Sequence, residues 1–238
     1  MRRRTLEALN RDISQGRAIV RATDLETGEE RLIDPNADTT ALGTAAASAA
    51  RADRSGMAVI DGRSWFLAVY NPPLELVVVG AVHIAQPLAR MALLAGYGVR
   101  IVDPRTAFAS PERFPDVSLS HDWPDEALAK GPLGTRSALA VLAHDPKIDD
   151  PALIAALRSP CFYIGALGSK KTHAARLQRL RDAGIGEADL ARIHGPIGLA
   201  IGAKSPAEIA ISILAEMTQE LRASPEAPEP ARTASDAA

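Results

Sequence analysis

The chain has 238 residues, with 27 Lys and Arg against 29 Asp and Glu, for a formal net charge of −2. So near a balance excludes a global field that would draw the protein to nucleic acid or to an anionic membrane, and any anion site must be local. The single cysteine, Cys161, excludes an internal disulfide and a cysteine-based zinc site. The interior must be built from Ala, Leu, Val and Ile, because aromatic residues make up only 4%.

The opening stretch, MRRRTLEALNRDI, is basic and lacks the apolar run of a secretory signal. No segment reaches the roughly 18 apolar residues that a membrane-crossing helix needs, so a cytoplasmic chain without a membrane span is expected. Leu6, Leu9 and Ile13 share one helical face. AIVRATD and EERLIDP flank the turn LETG as a hairpin, and an alanine-rich helix is expected over residues 39–53. GMAVI and SWFLAVY form a second hairpin around Asp61-Gly62. NPPL then stiffens the exit and closes a small N-terminal α+β unit, residues 1–73.

From Leu74 the texture changes. LELVVVG is a continuous apolar strand of the kind buried on both faces, followed by a helix from Ile84 to Ala95. GVRIVD, DVSLS, ALAVLAH and CFYIGAL read as further strands. PDEALAK, DDPALIAALR (capped by Asp149 or Asp150) and THAARLQRLRDAG read as the helices between and after them. Ser205-Pro206-Ala207-Glu208 is a capping box with proline at the first helical position, opening a last helix that is apolar at Ile209, Ile213 and Met217. Strands alternating with helices predict an α/β fold over 74–222, a Rossmann-like doubly wound parallel sheet. The final stretch from 223 to 238 is rich in Pro, Ala, Ser and Glu and is expected to be a disordered tail.

In such sheets ligands sit beyond the carboxyl ends of the strands, so the loops there carry the candidates. Gly80-Ala81-Val82-His83-Ile84-Ala85 fits a dinucleotide fingerprint at its ends, but Val82 stands where the second glycine lets backbone approach a pyrophosphate. Asp103, ending GVRIVD, matches the acid that binds a ribose hydroxyl. In YIGALGSKKTHAARL, Gly165 and Gly168 precede Ser169, Lys170, Lys171 and His173 at a helix start, where free N–H groups and two cations suit an anion. The spacing is not that of a P-loop, and a tight turn with two solvated lysines is the competing reading. His144-Asp145 either serves acid–base or hydroxyl-positioning chemistry or simply ends a strand in an Asp-Pro turn. Cys161, at the strand end away from the crevice, reads as a small core residue.

Taken together, GAVHIAQPLA, VDPRTAFASPERFP, HDPKIDDPAL, YIGALGSKKTHAARLQRL and ARIHGPIGLAIGAKSPAEIAISILAE resemble the XdhC/CoxI family, accessory proteins of molybdenum hydroxylases. The match runs from about Leu74 to Leu221; residues 1–73 resemble the family loosely, as in a short variant. Ala200 stands where relatives carry an aspartate. The resemblance implies a chaperone that binds the molybdenum cofactor, a molybdopterin in some cases extended to its cytosine dinucleotide. It also implies delivery to an apo-molybdenum hydroxylase such as xanthine dehydrogenase or carbon monoxide dehydrogenase, in some cases with a cysteine desulfurase, and a homodimer. The crevice residues would be Gly80, His83, Asp103, Arg105, His144, Asp145, Gly165, Gly168, Ser169, Lys170, Lys171 and His173, with Arg105 adding a bidentate phosphate contact. The alternatives are an NAD(P)-dependent oxidoreductase with His144 as general acid, which Val82 opposes, and a scaffold acting by protein contact alone.

Overall fold

A computed structural model describes residues 3–223, so all but the first residue of the expected tail lies outside the described part. The chain divides into two compact units, one containing residues up to Pro72 and the other spanning Pro73–Leu221. No helix among the described residues is long and apolar enough to cross a membrane.

The first unit runs α1 (Arg3–Ser14), β1 (Ile19–Asp24), β2 (Glu30–Ile33), α2 (Ala41–Arg51), β3 (Gly56–Ile60) and β4 (Arg63–Tyr70). Its four strands form an antiparallel sheet ordered β2-β1-β4-β3. Alternation sends Val20, Ala22, Trp65 and Leu67 to one face, where they meet Leu42, Ala46 and Ala50 of α2. Thr40 caps α2 by accepting from the Gly43 N–H at 3.0 Å.

The second unit continues with β5 (Leu74–Val79), α3 (Ala85–Leu94), β6 (Tyr97–Val102), β7 (Ser118–Ser120), α4 (Pro124–Lys130) and β8 (Ser137–Val141). It closes with α5 (Pro146–Leu157), β9 (Tyr163–Ala166), α6 (Lys170–Asp182), α7 (Glu187–Leu190), β10 (Ile193–His194) and α8 (Pro206–Arg222). Every pairing in this sheet is parallel, and the order is β10-β9-β8-β5-β6-β7. The chain lays β5, β6 and β7 outward to one side, then returns to place β8, β9 and β10 on the other. The topological switch point therefore lies between β5 and β8. Leu76 and Val78 of β5 pack with Leu88 and Ala92 of α3 and with Ile213 and Met217 of α8. Val77 and Val79 pack on the opposite face with Leu128 of α4, Leu153 of α5 and Leu180 of α6. Burial on both faces is why LELVVV carries no alternation after Glu75.

Three local differences from the sequence reading have plain causes. Helix α5 opens at Pro146, earlier than expected, because Asp145 takes the cap, accepting from the Lys147 N–H at 3.0 Å; Pro151 is carried inside the helix. Asp149 and Asp150 are thus helical residues rather than caps. The strand read in ALAVLAH stops at Val141, and His144 sits at φ +61°, a conformation no strand tolerates. Helix α7 and strand β10 were not foreseen, since four and two residues respectively are too few for a period to register. The capping box before α8 is present: Glu208 accepts from the N–H groups of Lys204 and Ser205 at 2.8 and 2.9 Å, and the Glu208 N–H donates to Ser205 Oγ at 3.3 Å. Cys161 is buried just before β9, with Sγ 3.6 Å from the Ala156 carbonyl.

Candidate functional site

The loops at the carboxyl ends of the parallel strands form two corners with different contents. The first follows β5 and β6. Gly80 has φ +103°, and a Cβ added there would lie 2.6 Å from the Ala143 nitrogen. Glycine is therefore required where the loops after β5 and β8 cross, at the switch point. The side chain of Val82 packs against the core on the α3 side, and His83 is exposed ahead of α3.

Asp103 is completely buried and fully engaged. Its carboxylate accepts from the Ala81 N–H at 2.8 Å, from the Arg105 N–H at 3.0 Å, and from Arg105 Nε and Nη2 at 2.8 Å each. Burial works to raise its pKa, but the Arg105 guanidinium and the two backbone N–H groups outweigh it and hold the carboxyl below its ordinary range. Arg105 also lies over the Phe108 ring, 4.6 Å from its centre. Where the sequence suggested a ribose-binding acid and a phosphate-binding fork, the Asp103 carboxylate meets four donors of the protein itself and the Arg105 fork grips Asp103.

The second corner follows β8 and β9. His144 is exposed beside the switch point, whereas Asp145 is the α5 cap just described. Gly165 is not in the turn: it lies inside β9, and its missing side chain makes room for Ile197 and the Tyr163 hydroxyl. Gly168 is the turn residue, at φ +146°. Ser169 then caps α6, its Oγ accepting from the Thr172 N–H at 3.1 Å, and Lys170 and Lys171 follow as exposed first-turn residues. Among the described residues the N–H groups of Gly168 and Ser169 donate to no protein acceptor. His173 is drawn away from this opening and lies against Gly195, where a side chain would collide with its ring. Burial, then the nearby Arg176 charge, lowers its pKa.

Beneath the Gly168 turn lies a pair that the sequence reading missed. Arg176 of α6 is 1% exposed and Asp149 of α5 is 2% exposed. Arg176 Nη2 donates to the Leu167 carbonyl at 2.8 Å and stands 3.5 Å from Asp149 Oδ2. Arg176 Nε and Nη1 and Asp149 Oδ1 have no protein partner. Burial raises the Asp149 pKa to about 6 against the opposing pull of Arg176. A signal for this pair exists in hindsight: Arg176 sits four residues before Leu180 and next to Leu177, on the stripe that α6 buries.

The crevice thus brings together Gly80, His83, Asp103, Arg105, His144 and Asp145 around the switch point, and Gly168, Ser169, Lys170 and Lys171 at the start of α6. Gly165 and His173 belong to the packing of the loop after β10.

Residues 76–217, more than half of the chain, match the family described as XdhC Rossmann domain. The Escherichia coli K12 protein YqeB is 33% identical over 168 residues, 71% of this chain and 31% of its own length. The E. coli molybdenum cofactor insertion chaperone PaoD is 32% identical over 148 residues, 62% of this chain and 40% of its own. A Bacillus subtilis protein described as a probable xanthine dehydrogenase component is 31% identical over 155 residues, 65% of this chain and 45% of its own. The chain therefore spans less than half the length of each of these relatives. A solved structure described as a xanthine dehydrogenase from Bacillus halodurans superposes with a TM-score of 0.69 over 92% of this chain and 67% of that one. At 24% identity this likeness speaks to the fold alone.

Proposed function

The chain belongs to the XdhC Rossmann-domain family, and from that premise we propose that it binds the molybdenum cofactor and delivers it to an apo-molybdenum hydroxylase. One observation carries this reading. Of the two corners of the crevice, the one that serves a dinucleotide in ordinary Rossmann proteins is occupied by the protein's own Asp103–Arg105 pair. The other presents the open N–H groups of Gly168 and Ser169 with Lys170 and Lys171 at the start of a 13-residue helix. That arrangement suits a terminal phosphate, and a molybdopterin ends in one.

The residues present fit the group on this side. The Gly168 turn, Ser169 and the two lysines would hold the phosphate, and His83 and His144, exposed at the switch point, would face the pterin end. The cofactor itself supplies the metal and the dithiolene chemistry of the hydroxylase; this chain's part is to hold, shield and release. The filled first corner argues against an NAD(P)-dependent oxidoreductase.

Release needs differential binding, so the receiving hydroxylase must compete for groups that the carrier holds. A cysteine desulfurase and a homodimer complete the proposal from the family resemblance, and a cytoplasmic setting from the sequence's lack of a secretory signal or an apolar span. The test is metal analysis and mass spectrometry of the chain purified anaerobically from cells that make the cofactor. Molybdenum and pterin in near-equal, near-stoichiometric amounts are expected; a bound nicotinamide, or neither ligand, would overturn the reading.

A further inference from the structure

The buried arginine under the Gly168 turn has an orientation that matters for the turn's chemistry. In a trans peptide the carbonyl and the following N–H point in opposite directions. Arg176 Nη2 draws the Leu167 carbonyl inward at 2.8 Å. The N–H of the same peptide, that of Gly168, is thereby turned away from the guanidinium. The fork lies directly behind the turn, with Nη2 3.8 Å from where a Gly168 side chain would stand. Two of its three nitrogens have no acceptor, and the nearest Asp149 oxygen is 3.5 Å away. At 1% exposure its charge is screened little by water. Positive potential from behind, an N–H turned away from that charge and the start of α6 all converge on the same point in front of Gly168.

We propose that Arg176 is the positioning residue of an oxyanion-binding turn, presetting the Gly168 N–H outward and backing it with buried charge, so that Gly168, Ser169 and the α6 N-terminus bind a phosphate monoester. This rests on the phosphate placement proposed above and adds to it the part that sets the geometry. Arg176 touches no ligand; it acts through the Leu167–Gly168 peptide. Asp149 moderates its charge without taking part in the contact to Leu167. The surface lysines then attract the anion, while Arg176 decides whether the backbone is ready for it.

Amide NMR of the full chain titrated with inorganic phosphate tests this. In the wild type the Gly168 and Ser169 amide signals are expected to move together as phosphate binds. Arg176→Lys retains a buried cation but offers a single ammonium in place of the fork. It is expected to weaken phosphate about tenfold and to shift the Gly168 amide before any phosphate is added. Asp149→Asn keeps the Arg176–Leu167 bond and is expected to bind phosphate at least as tightly as the wild type. Full affinity in Arg176→Lys with an unmoved Gly168 amide would overturn the proposal. So would a wild-type titration that moves Lys170 and Lys171 but leaves Gly168 still, a result that stands even if Arg176→Lys does not fold. No phosphate response anywhere on α6 would remove both this inference and the placement it rests on. A normal phosphate response in a chain that retains no pterin would remove only the carrier reading.

Discussion

Two buried aspartates, each beside an arginine, stand at the two corners of one crevice, and the fold treats them in opposite ways. Asp103 has four donors, and its partner Arg105 is partly exposed and can share its charge with water. Asp149 has one long contact to an arginine that is itself buried, and three atoms of that pair have no partner. The first pair is what a finished structural element looks like: every lone pair on the inner side is used, and the carboxyl is stabilised in its charged form. The second holds charge in a place where charge is costly. The difference sets a corner closed by its own ion pair against a corner whose buried arginine keeps unpartnered nitrogens.

The largest expected effect tests how tightly the first corner is closed. Gly80→Val combines a left-handed φ with a Cβ driven into the Ala143 backbone, and should cost about 4 kcal/mol in urea unfolding or prevent folding. Asp103→Asn is next. It removes the charge that Arg105 grips and leaves an amide N–H₂ facing donors, for a loss of about 3 kcal/mol. Asp149→Asn should cost less than Asp103→Asn. If equilibrium unfolding ranks the two the other way, the contrast between the corners is wrong.

A pH series sharpens the same contrast, because the two aspartates titrate in opposite senses. Asp149 has a folded pKa of about 6, above its reference value of 3.8. Between those values the folded state holds the proton that the unfolded state has released, so stability from this group falls as pH rises from about 3.8 to about 6 and is level above that. Asp103 has a lowered folded pKa, so its contribution is present above the reference value of 3.8 and is lost as pH falls below it. Denaturant midpoints for Asp149→Asn should therefore lack the decline between pH 4 and 6, a difference of roughly 2 kcal/mol across that window. A decline that persists in Asp149→Asn would assign it to another group.

The sheet was legible because its strongest signals are long ones: LELVVV between two helices, and helices with caps at their starts. Alternating strands and helices were enough to predict a doubly wound sheet, and the parallel pairings agree. What escaped was whatever depends on one side chain's surroundings. Asp103 and Arg105 were visible as residues beyond a strand, but only the fold shows that they face each other. Gly165 and Gly168 look alike in YIGALGS, yet one makes room for Ile197 and the other turns the chain. Arg176 was hidden by its type: an arginine on a helix reads as solvated unless the buried stripe beside it is followed through Leu177 and Leu180.

The smallest structural effect is expected from the residues that drew attention first. Lys170 and Lys171 are exposed on the first turn of α6 and hold no ion pair among the described residues. Lys170→Ala with Lys171→Ala should leave the melting temperature unchanged, because nothing folded depends on them. It should nonetheless lower cofactor retention in equilibrium dialysis several-fold and reduce the salt dependence of binding, since exposed cations act over a screened distance. Arg176→Lys should do the reverse, weakening phosphate with little change in its salt dependence, because a buried charge is screened less. Equal salt slopes in the two variants would mean that the surface and buried cations act alike, and the division of labour between attraction and preorganisation at this corner would fail.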